Sequence, residues 1–223
     1  MGLLTHNDLT IPGHRRLALL DMIAVDHGFL RVFWTARHRV SDEMWRSNQP
    51  WPFQIRQAAE SGIRTIINLR GSRACGSYAL EAEACARYGV ALVDLGTRSR
   101  GAPERSFVLE ADDIFRRIAY PALMHCKSGA DRAGFMSALY LVLRKNEPVE
   151  RAMRHLSWRY GHVRQAKTGI LDFFLEQYLD YTRARPMPFL TWVKEVYDPE
   201  QVARDFHAQW WANLVVDRML GRE

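Results

Sequence analysis

Cysteine is sparse in this chain. Cys75, Cys85 and Cys126 are the three among 223 residues, an odd number with no C-x-x-C pair, which excludes a disulfide framework and a cysteine-built zinc site and fits a reducing compartment. Long apolar runs are also missing. Leu17 to Val25 is apolar after Arg15 and Arg16, but Asp21 interrupts it, it is too short to span a bilayer, and no small-x-small cleavage site follows. Thr5 falls one position too early for the N-myristoylation pattern, so no lipid anchor is expected and a cytoplasmic location is. Negative charge is in deficit: the formal net charge is +6 and the pI near 9.5, which fits an acidic or phosphorylated partner. The arginines are scattered rather than blocked and no nucleic-acid module is present, so nucleic acid is not an expected partner.

What the chain does have is one dense stretch, Leu123-Met124-His125-Cys126-Lys127-Ser128-Gly129-Ala130-Asp131-Arg132-Ala133-Gly134. Tyr120 to Met124 reads as a short buried strand, and Phe135, Met136, Leu139, Tyr140 and Leu143 recur at helical spacing from Asp131 onward. The loop between them is a strand-to-helix turn. Such a turn directs the backbone N–H groups of Lys127, Ser128, Gly129, Ala130, Asp131 and Arg132 into a cup at a positive helix end, which suits a dianionic oxyanion such as phosphate. Cys126 at the base of that cup gains thiolate character. Arg132 can fork two N–H bonds onto phosphate oxygens as charge spreads in the transition state. Gly129 lets the backbone turn where a side chain would crowd the anion.

His125-Cys126-Lys127-Ser128-Gly129-Ala130-Asp131-Arg132 resembles the H-C-x5-R signature of the cysteine-dependent protein tyrosine and dual-specificity phosphatases. Arg46-Ser47-Asn48-Gln49-Pro50 and Asn68-Leu69-Arg70 resemble the segments that precede the signature in bacterial and in plant or fungal atypical members, so the likeness covers roughly Val40 to Tyr178. It implies a metal-free, cofactor-independent phosphomonoesterase that works through a cysteinyl-phosphate, with phosphotyrosine protein as substrate. It also implies that His125 orients the loop and keeps Cys126 ionised.

Two residues compete for the general acid that protonates the leaving oxygen. Asp94 ends a strand 32 positions before Cys126 (126 − 94), an offset common in the family, but the loop Gly96 to Pro103 that follows has no carboxylate. Asp131 matches the C-x4-D-R variant of myotubularin-like and Sac-type phosphoinositide phosphatases and is preferred. Ala133 stands where the family usually has Ser or Thr, which bears on turnover rather than on attack. Ser128 is read as satisfying loop backbone.

In chain order, Phe29 to Trp34 reads as a strand and Met44-Trp45-Arg46 as another. Pro52 opens a helix ending before Gly62, and Ile63 to Leu69 is a buried strand. Ala79 to Tyr88 is helical, Val90 to Val93 extended, and Glu104 to Ile118 helical. This alternation predicts an α/β fold: a central, mainly parallel sheet flanked by helices, with a C-terminal helical extension. Ligands gather beyond the carboxyl ends of such strands, where Arg46, Arg70, Asp94 and Cys126 fall. Arg46, Arg70, Arg98, Arg100 and Gln165 are candidate substrate contacts, and the extra basic residues suit a substrate with more than one anionic group.

Pro148 to Trp158 and Ile170 to Tyr181 read as amphipathic helices. Asp198-Pro199-Glu200-Gln201 reads as N-cap, N1 proline and capping-box glutamine of a last helix striped by Val202, Phe206, Trp210 and Leu214. The expected organisation is an N-terminal extension over 1–28, a phosphatase domain over 29–182 and the helical extension over 183–223. Trp192, Trp210 and Trp211 mark the extension for packing on the domain or for contact with a membrane surface or partner. The alternatives to a phosphotyrosine substrate are a phospholipid, a phosphorylated glycolipid such as lipid A, or an inositol phosphate. A catalytically silent phosphate-binding module is the rival from another class, and a rhodanese-like sulfurtransferase is opposed by Arg132 and its spacing.

Overall fold

The computed structural model describes residues 8–33 and 35–220. Residues 1–7, Trp34 and the Leu214 side chain, on which expectations fell above, lie outside the described residues. The elements are α1 (His14–Leu20), running on into a π turn at Asp21–Val25, α2 (Leu30–Phe33), β1 (His38–Arg39), β2 (Met44–Asn48), α3 (Pro52–Glu60), β3 (Thr65–Asn68), α4 (Gly76–Tyr88), β4 (Ala91–Asp94), α5 (Arg105–Arg117), β5 (Ala122–Cys126), α6 (Asp131–Lys145), α7 (Val149–Ala152), α8 (Ile170–Ala184), α9 (Phe189–Glu195) and α10 (Pro199–Leu220). Two compact units result, 1–97 with 117–133, and 98–116 with 134–223.

The first unit holds a five-stranded sheet in the order β1-β2-β5-β3-β4. Only the two-residue edge strand β1 is antiparallel; the other pairs are parallel, and helices flank the sheet as the alternation predicts. Every residue of β3 and of β5 is buried, which is why both read as continuous apolar runs rather than alternating ones. Ile55 and Ala58 of α3, Ile66 of β3, Ala84 and Cys85 of α4, and Leu123 of β5 form one core cluster. Pro52 sits at the first position of α3, where its missing N–H costs nothing, and Gln54 Oε1 accepts the Trp51 N–H at 2.8 Å.

The N-terminal segment is built into this unit. Ala18 and Met22 pack on Leu80 of α4. A Cβ on Gly76 would lie 2.1 Å from the Ala18 carbonyl oxygen, so only glycine permits this approach of α1 to α4. The first N–H of α4 has no capping side chain of its own. Asp21 supplies one, accepting the Gly76 N–H at 2.7 Å.

The strand expected from Phe29 is a correction: the chain is helical over Leu30–Phe33. Its aromatic and branched residues favour strands, but the Leu30 and Arg31 N–H groups donate to His27 O and Gly28 O, and this turn carries the buried Arg31 back to Asp26 at 2.9 Å.

In the second unit Phe135, Phe174, Phe189, Trp192 and Tyr197 pack ring against ring, with Phe174 and Tyr197 centroids 4.7 Å apart. The Tyr197 hydroxyl donates to Pro103 O at 2.7 Å. The helix expected over Pro148 to Trp158 is α-helical over Val149–Ala152 and tightens into a 3-10 turn over Met153–His155; ψ 79 at Leu156 and extended backbone at Ser157 then end it, burying Leu156 and leaving Trp158 86% exposed. Asp198 caps α10 as expected, accepting the Glu200 and Gln201 N–H groups; Gln201 turns instead to Asp205, so the capping box does not close. Trp192 is buried, Trp210 Nε1 donates to Gln165 O at 3.0 Å, and Trp211 is exposed.

Candidate active site

The register of the sheet builds one edge from four strand ends. Asn48 of β2 lies opposite Cys126 of β5, Asn68 of β3 opposite His125, and Asp94 of β4 opposite Asn68. The loop from Lys127 to Ala130 starts there and runs into α6.

Cys126 is 2% exposed, and the Gly129 N–H donates to its Sγ at 3.3 Å. Gly129 has φ +81, and a Cβ on it would meet Asn48 N at 2.8 Å and Ser47 C at 2.9 Å. Two independent constraints therefore require glycine. Behind the loop, Arg46 Nη2 donates to Gly129 O at 2.6 Å and to Ala130 O at 2.8 Å. In a planar trans peptide the N–H points opposite to the C=O, so drawing these carbonyls toward Arg46 turns the Ala130 and Asp131 N–H groups away from it. The Ala130 N–H meets Ser128 Oγ at 3.4 Å, so Ser128 satisfies loop backbone.

Arg46 is fully buried. The expectation of a substrate contact is corrected for it: its charge is spent on loop carbonyls. Arg70 is a second correction. Its side chain is 5% exposed, and its Nη1 and Nη2 donate to the two Asp26 oxygens at 2.6 and 2.8 Å, with Gln49 Oε1 a further acceptor. Arg132, half-buried, donates weakly to Leu69 O at 3.3 Å and Thr97 O at 3.5 Å, which holds its guanidinium beyond β3 and β4.

Asp26 is the residue that sequence reasoning missed most completely. It takes Arg31 and Arg70, and Lys127 Nζ lies 3.3 Å from its Oδ1. Burial pushes its carboxyl up, but hydrogen bonds from Arg70 and the charges of Arg70 and Arg31 outweigh that and hold it well below the usual carboxylate range. It is a fixed anion and unsuited to proton transfer. Glu81 and Gln49 were missed too: His125 Nε2 pairs with Glu81 Oε1, both side chains fully buried, and Gln49 Nε2 donates to Glu81 Oε2 at 2.7 Å. The signal available for Glu81 was an acid three and four positions before the buried Ala84 and Cys85 on the apolar face of a predicted helix. Asp26 offered none.

Of the two acid candidates, Asp94 has both oxygens engaged, accepting from Asn68 Nδ2 at 2.8 Å and the Tyr78 hydroxyl at 2.6 Å. It ties β3 and β4 to α4. Asp131 is half-buried at the first position of α6, directly before Arg132. Arg73, on the exposed turn before α4, was not singled out in the sequence; its guanidinium is held below its ordinary range by partial burial and then by the charge of Arg70, with Arg132 contributing. Arg98, Arg100 and Gln165 belong to the second unit, where Gln165 is exposed. Cys85 is a different kind of thiol, pushed up to about 12 by burial and by the Glu81 and Asp94 charges. Among the described residues no cluster of three or more His, Cys, Asp or Glu is placed to hold a metal ion, and no helix is long and apolar enough to cross a membrane.

A parallel sheet whose central strand delivers a cysteine into an amide-lined turn, with an arginine at the next helix start, is the arrangement that the H-C-x5-R signature leads one to expect. Residues 42–146 match the family model described as "Polymorphic toxin system, DSP-PTPase phosphatase". The crystal structure of Pseudomonas aeruginosa TpbA shares the fold at TM-score 0.52 and 17% identity, over 68% of this chain and 91% of that one. A cysteine-to-serine form of TpbA in complex with pTyr superposes at TM-score 0.52 and 16% identity, over 68% and 90%. A putative phosphatase (DUF442) from Shewanella putrefaciens CN-32 follows at 0.50 and 15%, over 67% and 97%. No curated protein matches the chain.

Proposed function

We propose that the chain hydrolyses phosphomonoesters through a Cys126 phosphoenzyme and that its substrate is phosphotyrosine in protein. The observation that carries the reading is the Gly129 N–H donating to Cys126 Sγ at 3.3 Å within a loop whose carbonyls Arg46 draws away. The Sγ thiolate attacks phosphorus and forms the S–P bond while the bond to the leaving oxygen breaks. Asp131 gives that oxygen its proton, Arg132 takes the spreading charge on two phosphoryl oxygens, and Lys127 adds a cation at the rim. Water then attacks phosphorus, Asp131 recovers a proton from it, and the S–P bond breaks to return thiolate and inorganic phosphate. Asp131 is favoured for its place at the start of α6, directly before Arg132, whereas Asp94 ties β3 and β4 to α4.

Phosphotyrosine is favoured because TpbA, which shares the fold, is described in complex with pTyr. A second reading, a phospholipid or phosphorylated glycolipid, draws on the N-terminal segment, where Leu17, Leu20, Ile23, Val25, Phe29 and Leu30 are exposed beside Arg15 and Arg16 while Asp26 reaches Lys127. The test is a profile of initial rates over phosphotyrosine peptides, anionic phospholipid vesicles, lipid A and inositol phosphates, with Cys126→Ser as blank. Peptide preference supports the first reading; lipid preference retires it. Loss of all turnover with intact phosphate binding by the wild type leaves only a binding module. The family model is named for a toxin system, and growth arrest on expression, absent with Cys126→Ser, is the corresponding expectation.

A further inference from the structure

Between Ile11 and Arg39 the acids are Asp21 and Asp26, and both are buried. Each faces inward: Asp21 accepts the Gly76 N–H, and Asp26 takes Arg31 and Arg70. The cations of the same stretch lie mostly outside. Arg15, Arg16, Arg37 and Arg39 are exposed, and Arg31 is buried. The apolar residues divide as well. Ala18 and Met22 pack on Leu80 of α4, while Leu17, Leu20 and Ile23, spaced as on one helix face, are 40%, 54% and 39% exposed. Val25, Phe29 and Leu30 continue the exposed apolar surface. The bend that presents them is held from inside: the Gly28 N–H donates to Met22 O at 2.7 Å, and Trp51 Nε1 donates to Gly28 O at 2.9 Å. A Cβ on Gly28 would lie 2.6 Å from Met22 O, so glycine is required at this bend.

We infer that this face docks the protein on an anionic phospholipid membrane, with Leu17, Leu20, Ile23, Val25, Phe29 and Leu30 entering the boundary of headgroups and acyl chains and Arg16 meeting lipid phosphates. The charge pattern is what selects this occupant. A fixed apolar face with arginines beside it and no exposed acid complements a surface that is apolar within and anionic at its edge. A second copy of the chain fits less well, because a two-fold contact of this face with itself sets arginine against arginine. Asp26, between Val25 and His27, has Lys127 Nζ 3.3 Å from its Oδ1, so docking brings the loop after Cys126 beside the membrane surface. The inference holds whichever phosphoester is hydrolysed, and it does not rest on the chemistry of Cys126.

The experiment is sedimentation of the full chain with vesicles of phosphatidylcholine alone and of phosphatidylcholine mixed with phosphatidylglycerol, at low and high salt. Binding is expected on the mixed vesicles, weakening as salt rises, and not on the neutral ones. Leu20→Asp and Phe29→Asp are each expected to weaken it by roughly tenfold or more, and Arg16→Glu by roughly fivefold or more. Because these positions are exposed, urea midpoints and turnover of a water-soluble aryl phosphate are expected to stay at wild-type values. Leu30→Asp, at the most exposed of the apolar positions, decides by the same criterion if either aspartate variant fails to fold. Trp158→Ser, at an exposed tryptophan of the second unit, is the comparison and is expected to bind as the wild type does. Equal binding to neutral vesicles, no binding to either kind, or an equal loss in Trp158→Ser overturns the proposal. So does a concentration-dependent dimer that Leu20→Asp dissociates and vesicles do not, which gives the face to a second copy. Cys126→Ser is expected to bind vesicles as the wild type does, so failure of docking and failure of the phosphatase reading are separate results.

Discussion

Gly129→Ala puts the geometry of the loop to a quantitative test. Alanine at φ +81 pays the left-handed penalty, about 1–2 kcal/mol relative to an ordinary backbone conformation. Its Cβ would also approach Asn48 N to 2.8 Å and Ser47 C to 2.9 Å, and these atoms are held by the pairing of Asn48 with Cys126. Overpacking of that kind costs about 1–3 kcal/mol, for a total of about 2–5 kcal/mol. Gly62→Ala separates the two contributions: Gly62 has φ +86, but a Cβ there meets nothing within 4 Å, so that variant carries the conformational cost alone. Relief of the clash requires the loop to move off β2, which takes the Gly129 N–H away from Cys126 Sγ. Removing a donor of this kind from a reaction centre lowers kcat by about 10²–10³. Urea unfolding of the three proteins and their kcat on an aryl phosphate are the assays. A Gly129→Ala protein no less stable than Gly62→Ala, with wild-type kcat, refutes the reasoning.

The two aspartates separate by leaving group. Asp131→Asn is expected to slow a poor leaving group by about 10²–10³ while sparing a good one, and Asp94→Asn to lower stability without that split, read as kcat/KM across substituted phenyl phosphates. Asp26→Asn removes the carboxylate that pairs with Arg31 and Arg70 in the buried cluster and is expected to cost about 3 kcal/mol near neutral pH. Because the folded Asp26 carboxyl is held low, its contribution is complete above the unfolded pKa, begins to fall as pH drops through the usual carboxylate range and is lost fully only below the depressed folded value, so the urea midpoints of variant and wild type draw together as pH falls below about 4 and still differ at about pH 3. Arg132→Lys retains the charge and loses the fork, with an expected fall in kcat of about 10² or more and a weaker effect on KM, measured on the same substrates.

Much of this architecture is legible in the sequence because buried parallel strands are continuous apolar runs: Thr65–Asn68 and Ala122–Cys126 are buried throughout, and their positions follow from Ile63 to Leu69 and Tyr120 to Met124. The strand ends bring Arg46, Arg70, Asp94 and Cys126 to one edge, as that reading implies, but not their roles. Whether an arginine at a strand end faces a ligand or the protein depends on who reaches it first. Arg70 is taken by Asp26, 44 residues earlier in a stretch with no clear period, and Arg46 by the carbonyls of a loop 83 and 84 residues later. Contacts at such separations leave no local pattern. Phe29 to Phe33 misleads for the opposite reason, since its strong local preference for strand yields to the burial of Arg31 against Asp26. The glycine at 129 is visible as a residue type, while the second constraint on it, the backbone of β2, is visible only once the strands are paired.

The fate of one phosphoryl group decides whether Cys126 is the nucleophile. Rapid quenching of the protein in alkaline detergent during turnover of an aryl phosphate radiolabelled at phosphorus, followed by digestion, should place the label on the Cys126 peptide in a bond stable to alkali and cleaved in mild acid, with none on Cys126→Ser. Turnover that proceeds with no label on Cys126, or equally well in Cys126→Ser, contradicts it.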